Sequence, residues 1–278
     1  MPLTDAVPTD RFADDGSVTR NEEAPWSRFD PNAYYKNNYT SLRDDDGAIL
    51  AAVGQFFSEY YERYKIKRPA RALDIGSGAN LYPAMSMLPW STHITLADHS
   101  PPNRPWLEQA VAAPEAGGPW AWAPFWEVLS GFPGYDLVEH PEQQFLRLHR
   151  TGNLQIADLD ILNMPAGRRW DLGTMFFVAE SITEDYIQFT DAIRNFLGAL
   201  APGSPFAAAF MVGSGGYPVK GVRFPAVKTD AADIMSHFAG KVAHLQSHDI
   251  PKLNKPLRDH EDDNYDSMLL LVGVTEHN

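Results

Sequence analysis

A glycine-rich turn and an acid about twenty residues beyond it have the clearest chemical use in this chain. Ala72–Gly78 reads Ala-Leu-Asp-Ile-Gly-Ser-Gly, and Asp98 ends a second short apolar run. Glycines at 76 and 78 can take positive φ and let a ligand approach the backbone without a Cβ in the way. An acid at the tip of the following strand can accept hydrogen bonds from two ribose hydroxyls. These features predict a nucleoside site; a turn whose glycines serve packing alone is the alternative.

The glycine turn departs from the usual dinucleotide-binding motif at one position, and this departure indicates the kind of nucleoside. Leu81 stands where that pattern has its third glycine, which argues against a pyrophosphate at the helix N-terminus and so against NAD. S-adenosylmethionine (SAM) has no pyrophosphate and suits this turn better. A nucleotide-dependent oxidoreductase on the same fold is the rival class of enzyme.

The composition narrows the classes of partner. The chain has 278 residues, of which 44% are apolar, enough for a full core without covalent cross-links. Its 23 basic and 36 acidic residues give a net charge of −13, which disfavours nucleic acids and anionic membrane surfaces. The lack of cysteine excludes disulfides, thiolate zinc sites and a cysteine nucleophile. Neither a signal peptide nor a membrane span is recognisable, so we expect a cytoplasmic protein.

Strand-like and helix-like segments alternate along the chain, which predicts an α/β fold. We expect a Rossmann-like, doubly wound, mostly parallel seven-stranded sheet with an antiparallel edge strand and an N-terminal helical cap. The continuous apolar run Trp170–Val178 is typical of a buried parallel strand. The predicted strands cover residues 71–75, 93–97, 154–157, 170–178, 205–212, 242–247 and 268–275.

One domain, residues 26–278, is predicted to follow a flexible or loosely docked arm, residues 1–25. Within it, residues 26–68 form the cap and residues 114–150 an aromatic-rich insertion. The acids at 44–46 are interpreted as solvated residues at a helix N-terminus. Two segments are candidate substrate lids. One is Trp120–Tyr135, for which an aromatic satellite core is the alternative, and the other is the acidic stretch Arg258–Asp266.

Three motifs together point to a known family. They are Phe29-Asp30-Pro31 with Tyr34 and Tyr39, Asp74–Gly78 with Tyr82, and Asp98-His99-Ser100 with Asn103. From about Phe29 onwards the chain resembles the nicotinamide, phenylethanolamine and indolethylamine N-methyltransferases, which are class I SAM-dependent methyltransferases. The glycine run occurs in many methyltransferases, whereas the Phe-x-Pro-x-x-Tyr element is much more particular.

The resemblance implies how SAM is held. The methionine end would lie under Tyr34 and Tyr39, with Tyr82 reaching its carboxylate. Asp98 would hold the ribose hydroxyls, and the adenine would lie beside Asp160 and Ile161, with Asp158 as a competing register. The predicted cofactor-binding residues are Tyr34, Tyr39, Asp74, Gly76, Gly78, Tyr82, Asp98, Asn103, Asp160, Ile161 and Phe176.

The resemblance also implies a substrate site. Glu180 follows the fourth predicted strand and matches an acid that contacts the substrate amine in the phenylethanolamine branch; a helix-capping or solvent-facing acid is the alternative. Met211 stands where the nicotinamide enzyme has an aspartate for the carboxamide, so nicotinamide is not expected. The predicted catalytic residues are Glu180 and Tyr39, the predicted substrate-binding residues are Glu180, Tyr217, Tyr265 and Asp266, and no metal is expected.

These implications predict methyl transfer from SAM to nitrogen or electron-rich carbon of a small aromatic or heteroaromatic metabolite. An indole-bearing compound of specialised metabolism is one such substrate. Two alternatives are an O-methyltransferase of small molecules and a SAM-binding module without catalysis. The sequence does not predict the oligomeric state.

Overall fold

The computed structural model describes residues 18–64, 70–116, 119–166, 170–251 and 265–276. Its strands, in chain order, are β1 (Ala70–Ile75), β2 (Ser91–Ala97), β3 (Leu154–Ala157), β4 (Leu172–Phe176), β5 (Pro205–Val212), β6 (Tyr217–Val219), β7 (Val222–Phe224), β8 (Val242–Pro251) and β9 (Ser267–Thr275). Its helices are α1 (Pro31–Asn38), α2 (Asp44–Tyr64), α3 (Tyr82–Met85), α4 (Asn103–Ala112), α5 (Ala123–Ser130), α6 (Pro141–Arg150), α7 (Tyr186–Ala199) and α8 (Ala231–Ser236).

Seven strands form one sheet in the order β3-β2-β1-β4-β5-β9-β8, and β6 and β7 form a separate hairpin. The pairings from β3 through β5 are parallel. Strand β9 runs antiparallel both to β5 and to the edge strand β8. The predicted doubly wound, mostly parallel seven-stranded sheet with its antiparallel element at one edge is thus confirmed. The antiparallel strand is β9, which is the second strand from the edge, next to β8.

The sheet is covered on both faces because its central strands alternate between two apolar layers. In β5, Ala207 and Ala209 pack with α2, whereas Phe206 and Phe210 pack with α7 and α8. The aromatic insertion contributes Trp122 and Phe125 to the first layer as buried core residues. Its middle therefore packs as the aromatic core that was the alternative to a lid.

The acids at the start of α2 are buried, which corrects the prediction that they are solvated. Asp45 and Asp46 are 3% and 1% exposed. The hydroxyl of Tyr82, at the start of α3, donates to Asp46 Oδ1 at 2.9 Å. A buried carboxylate needs such a donor, and no local pattern predicted that helix α3 would supply one.

The described part of the predicted arm is docked on the domain. Thr19 and Glu184 exchange hydrogen bonds, with the Thr19 N–H donating to Glu184 Oε2 and the Glu184 N–H donating to Thr19 O. Asn21 is 4% exposed. Residues 18–25 of the predicted arm therefore pack on the domain. Residues 1–17 lie outside the described residues.

Candidate functional site

A pocket opens at the carboxyl ends of β1, β2 and β4, the edge at which the sequence placed the nucleoside site. It encloses about 850 Å³ of space that protein atoms do not fill, its open mouth included. Its lining contains ten of the eleven predicted cofactor residues, all except Tyr82: Tyr34, Tyr39, Asp74, Gly76, Gly78, Asp98, Asn103, Asp160, Ile161 and Phe176.

The glycine turn adopts the conformation that its residue types predict. Gly76 and Gly78 have φ of 69° and 57°. The N–H groups of Gly76 and Ser77 donate to the carbonyl of Ala97 at 2.7 and 3.0 Å, which ties the turn to the end of β2. The turn and the acid that follows β2 therefore form one rigid unit.

Asp98 is fixed at the pocket wall by three hydrogen bonds. Its Oδ2 accepts from the Gly78 N–H at 2.7 Å, and its Oδ1 accepts from the Ser100 N–H at 2.8 Å and from Asn103 Nδ2 at 3.1 Å. Burial raises the pKa of Asp98 above its usual range, and these donors oppose that shift. The Oδ1 of Asn103 is buried without a hydrogen-bond partner in the described part of the chain.

Asp74, just before the turn, presents a free carboxylate oxygen to the pocket. Thr174 Oγ1 donates to Asp74 Oδ1 at 2.7 Å, whereas Oδ2 is buried and has no partner among the described residues. Burial raises the pKa of Asp74 to about 7. This atom suits a cationic group of a ligand, which would offset the cost of the buried charge.

The outer part of the pocket is aromatic. Tyr34 lies 6.0 Å from Tyr39 and 6.3 Å from Tyr217 between ring centroids, both at steep angles. Trp26 and Phe29 complete this wall. No lysine or arginine is among the described residues that line the pocket. The aromatic rings of this wall suit a flat ligand.

Four predicted site residues do not line the pocket: Tyr82, Glu180, Tyr265 and Asp266. Tyr82 is fully buried with its hydroxyl directed to Asp46. Tyr265 is 5% exposed, and the Asp266 N–H donates to Val212 O at 2.7 Å at the end of β5. Residues 258–264 of the predicted acidic lid lie outside the described residues.

Glu180 lies directly behind the pocket wall formed by Ser181 and Ile182. It is fully buried, so the solvent-facing alternative is wrong. Its Oε1 accepts from the Met211 N–H at 2.9 Å, and its Oε2 is buried without a partner in the described chain. Burial raises the pKa of Glu180 to about 7. A group with this pKa can exchange a proton near neutral pH.

Several lining residues were not predicted. Asn21 belongs to the predicted arm and Trp26 is the first residue of the predicted cap, a stretch where no periodic pattern reveals a buried side chain. Phe177 follows β4 with φ of 59°, a conformation that is rare for a bulky side chain. Ser100 was part of the recognised Asp98-His99-Ser100 motif, which was the one signal available for it.

The described residues contain no group of three or more histidine and acidic side chains placed to hold a metal ion. None of the described helices is long and apolar enough to cross a membrane.

Two of the solved structures to which this chain is similar are named as N-methyltransferases. The N-methyltransferase NodS from Bradyrhizobium japonicum, in complex with S-adenosyl-L-homocysteine (SAH), is 13% identical over 88% of this chain and 91% of its own, with a TM-score of 0.48. The 1,6-didemethyltoxoflavin-N1-methyltransferase of Burkholderia thailandensis, with its substrate and SAH bound, is 13% identical over 89% of this chain and 87% of its own, with a TM-score of 0.44.

No curated protein sequence matches the chain. A sequence profile of the NNMT/PNMT/TEMT family matches residues 17–241, most of the chain. The glycine turn, the acid after β2 and the Phe-x-Pro-x-x-Tyr element all lie within that match. The protein belongs to the NNMT/PNMT/TEMT family and is a SAM-dependent methyltransferase.

Proposed function

We propose that this methyltransferase acts on nitrogen or electron-rich carbon of a small aromatic or heteroaromatic molecule. One observation carries the proposal: the outer pocket is walled by Trp26, Phe29, Tyr34, Tyr39 and Tyr217. Aromatic faces stabilise positive charge through cation–π contact. Methylation of an aromatic nitrogen or carbon creates such charge on the acceptor, so this wall favours the transition state.

The pocket residues fit SAM. Asp98 lies where a ribose diol would meet the sheet edge, and the unpartnered Oδ2 of Asp74 is available for the cationic amino group of the methionine end. The base would extend from the ribose towards β3, the neighbour of β2, where Asp160 and Ile161 line the pocket. Tyr82, bonded to Asp46, would support the methionine end from behind the wall.

The chain's own contribution is positioning. When bound, SAM supplies a methyl group that its sulfonium has already activated. The aromatic wall would hold the acceptor in line with that methyl group and exclude water, and such positioning supplies on the order of 7–11 kcal/mol of barrier reduction. Tyr39 would align the acceptor. Glu180, which lies behind the wall and not in it, would take the proton of an N–H acceptor at neutral pH through an intervening water.

The test is a panel assay for SAH formation with purified protein and SAM. The panel contains indolethylamines, pyridines and aryl amines, with phenols and aryl carboxylates of matched size. We expect turnover of the nitrogen heterocycles and aryl amines, with mass spectrometry placing the methyl group on nitrogen or carbon. We expect none of the phenols or carboxylates, because methylation of their oxygen leaves no positive charge for the aromatic wall to stabilise.

The rival functions give different results. Turnover confined to phenols would replace the proposal with O-methylation. SAH binding without turnover of any class would favour a SAM-binding module. A cytoplasmic location and a setting in specialised metabolism are part of the same proposal, and cell fractionation with metabolite profiling of a deletion strain would test them.

A further inference from the structure

Residues 18–29, here called the N-terminal strap, cross the carboxyl edge of the sheet above the predicted nucleoside. The strap begins on the loop before α7, where the Thr19 N–H donates to Glu184 Oε2 at 2.9 Å. The Asn21 N–H donates to Gln188 Oε1 on α7 at 2.9 Å, and Thr183 Oγ1 donates to the same Gln188 oxygen at 2.8 Å. The strap is therefore attached to α7 by the buried hydrogen bond of Asn21 and to the preceding loop by the exposed one of Thr19.

The side chain of Asn21 reaches from the strap to the loop after β3. It lines the pocket, and its Nδ2 donates to Asp160 Oδ1 at 3.2 Å. The Trp26 indole N–H donates to Asn21 Oδ1 at 3.0 Å. The same indole N–H also donates to the Asn21 main-chain carbonyl at 3.0 Å. Because an indole nitrogen can only donate, the amide oxygen and not the NH₂ group faces it, which directs the NH₂ group towards the carboxylate.

The other end of the strap contacts the loop after β2. Ser100 Oγ donates to the carbonyl of Trp26 at 3.1 Å, and the Ser100 N–H donates to Asp98 Oδ1 at 2.8 Å. The strap thus connects the loop of the ribose acid with the loop of Asp160. Strands β2 and β3 are parallel neighbours, so a nucleoside held by Asp98 would lie beneath the strap.

We propose that Asn21 is a specificity-determining residue that makes Asp160 select adenine, and that the strap closes over the bound nucleoside. Asp160 Oδ1 already accepts from Asn21 Nδ2 and from the Leu162 N–H at 2.9 Å. The carboxylate is therefore held with Oδ2 as the oxygen for an incoming donor. An adenine amino group satisfies that oxygen, whereas the carbonyl of hypoxanthine would repel it. The inference rests on the cofactor placement proposed above.

The experiment compares SAH with S-inosyl-L-homocysteine, in which a carbonyl replaces the amino group. Calorimetry gives both dissociation constants for the wild type, Asn21→Ala and Asn21→Asp. Asn32→Ala is the matched control, because Asn32 lies on α1, accepts from Trp106 Nε1 and does not line this pocket. Asn21→Asp keeps the shape of the side chain but places a second negative charge against Asp160.

We expect the wild type to prefer SAH, and Asn21→Ala to weaken SAH about tenfold while lowering the SAH preference by a similar factor. Asn21→Asp should weaken SAH binding at least as much, and Asn32→Ala should change neither the SAH affinity nor the SAH preference. SAH should slow hydrogen exchange in residues 18–29 of the wild type and less so in Asn21→Ala. That second readout reports the strap without depending on the preference.

The failures can be told apart. A wild type that binds SAH, with an unchanged preference in both Asn21 variants, would overturn the inference and leave the proposed function standing. Equal weakening of SAH and S-inosyl-L-homocysteine would show that Asn21 only supports the fold, and would also overturn it. A folded wild type that binds no SAH would instead overturn the cofactor placement itself.

Discussion

The side chain of Val178 packs against the α-carbon of Gly76, so that a Cβ at position 76 would overlap it. This contact joins the glycine turn to the segment after β4 and fixes the floor of the pocket. We expect Gly76→Ala to lower the free energy of unfolding and to reduce SAH affinity by at least tenfold, because both positive φ and the contact forbid a side chain. Chemical denaturation and calorimetry measure the two effects.

Gly240→Ala is the control for Gly76→Ala. Gly240 has φ of 71°, close to that of Gly76, but nothing lies within 4 Å of a Cβ built there. It should cost about 1–2 kcal/mol from the backbone alone and leave SAH affinity unchanged. If both variants behave alike, the Val178 contact plays no part in the site.

Asp98→Asn should weaken SAH by roughly 10- to 100-fold. The amide places an NH₂ group towards the donors of Gly78, Ser100 or Asn103, and it weakens the acceptor for the ribose hydroxyls. Asp191→Asn, on α7, is the matched control because that side chain is paired with Arg194 at 2.8 Å and does not line the pocket. Equal losses in the two variants would contradict the assigned role of Asp98.

The stability of the protein without ligand should fall as pH rises from about 4 to about 7. Asp74 has its pKa raised from 3.8 to about 7 in the folded state by burial, so the folded state binds more protons than the unfolded state in that window. Glu180 acts in the same direction. Denaturation at pH 5 and pH 8 should show a loss on the order of a few kcal/mol, smaller in Asp74→Asn. If the wild type and Asp74→Asn lost the same stability between pH 5 and pH 8, Asp74 would not be buried in its protonated form.

SAH binding should have the opposite pH dependence. The cationic amino group of SAH favours the ionised form of Asp74, so affinity should rise up to about pH 7, with release of close to one proton per site at pH 6. Calorimetry in buffers of different ionisation enthalpy counts those protons. Asp74→Asn should abolish the release; persistence of the release would assign it to another group.

Glu180→Gln should lower kcat by about 100-fold for an N–H acceptor and remove an ascending limb near pH 7 from the kcat profile. Glutamine keeps the acceptor for the Met211 N–H, so the fold should hold. Saturating SAM separates this effect from the titration of Asp74. Glu108→Gln on α4, where the side chain is 51% exposed, is the control. An unchanged profile would remove Glu180 from proton transfer.

The predicted fold agrees with the structure where one segment's own pattern was sufficient. The apolar run of β4 and the one-sided face of α7 identify a buried parallel strand and its covering helix without reference to any other segment. The short helix α3 shows the limit: it ends at Met85, although the residues up to Leu88 are compatible with helix. The hairpin of β6 and β7 gave no alternation long enough to predict.

The site, like the fold, could be predicted only where a local pattern was sufficient. The glycine turn and Asp98 were recognisable because their function depends on residue types at fixed local spacing, and the turn holds the acid through the Gly78 N–H. The sequence alone therefore determined the fold class and the cofactor class, and it predicted the sheet edge at which the pocket opens. Burial of Glu180 behind the wall and the docking of Asn21 on Asp160, 139 residues away, were decided by the tertiary structure. Such contacts depend on which distant segments meet at the sheet edge, and no local pattern specifies that meeting.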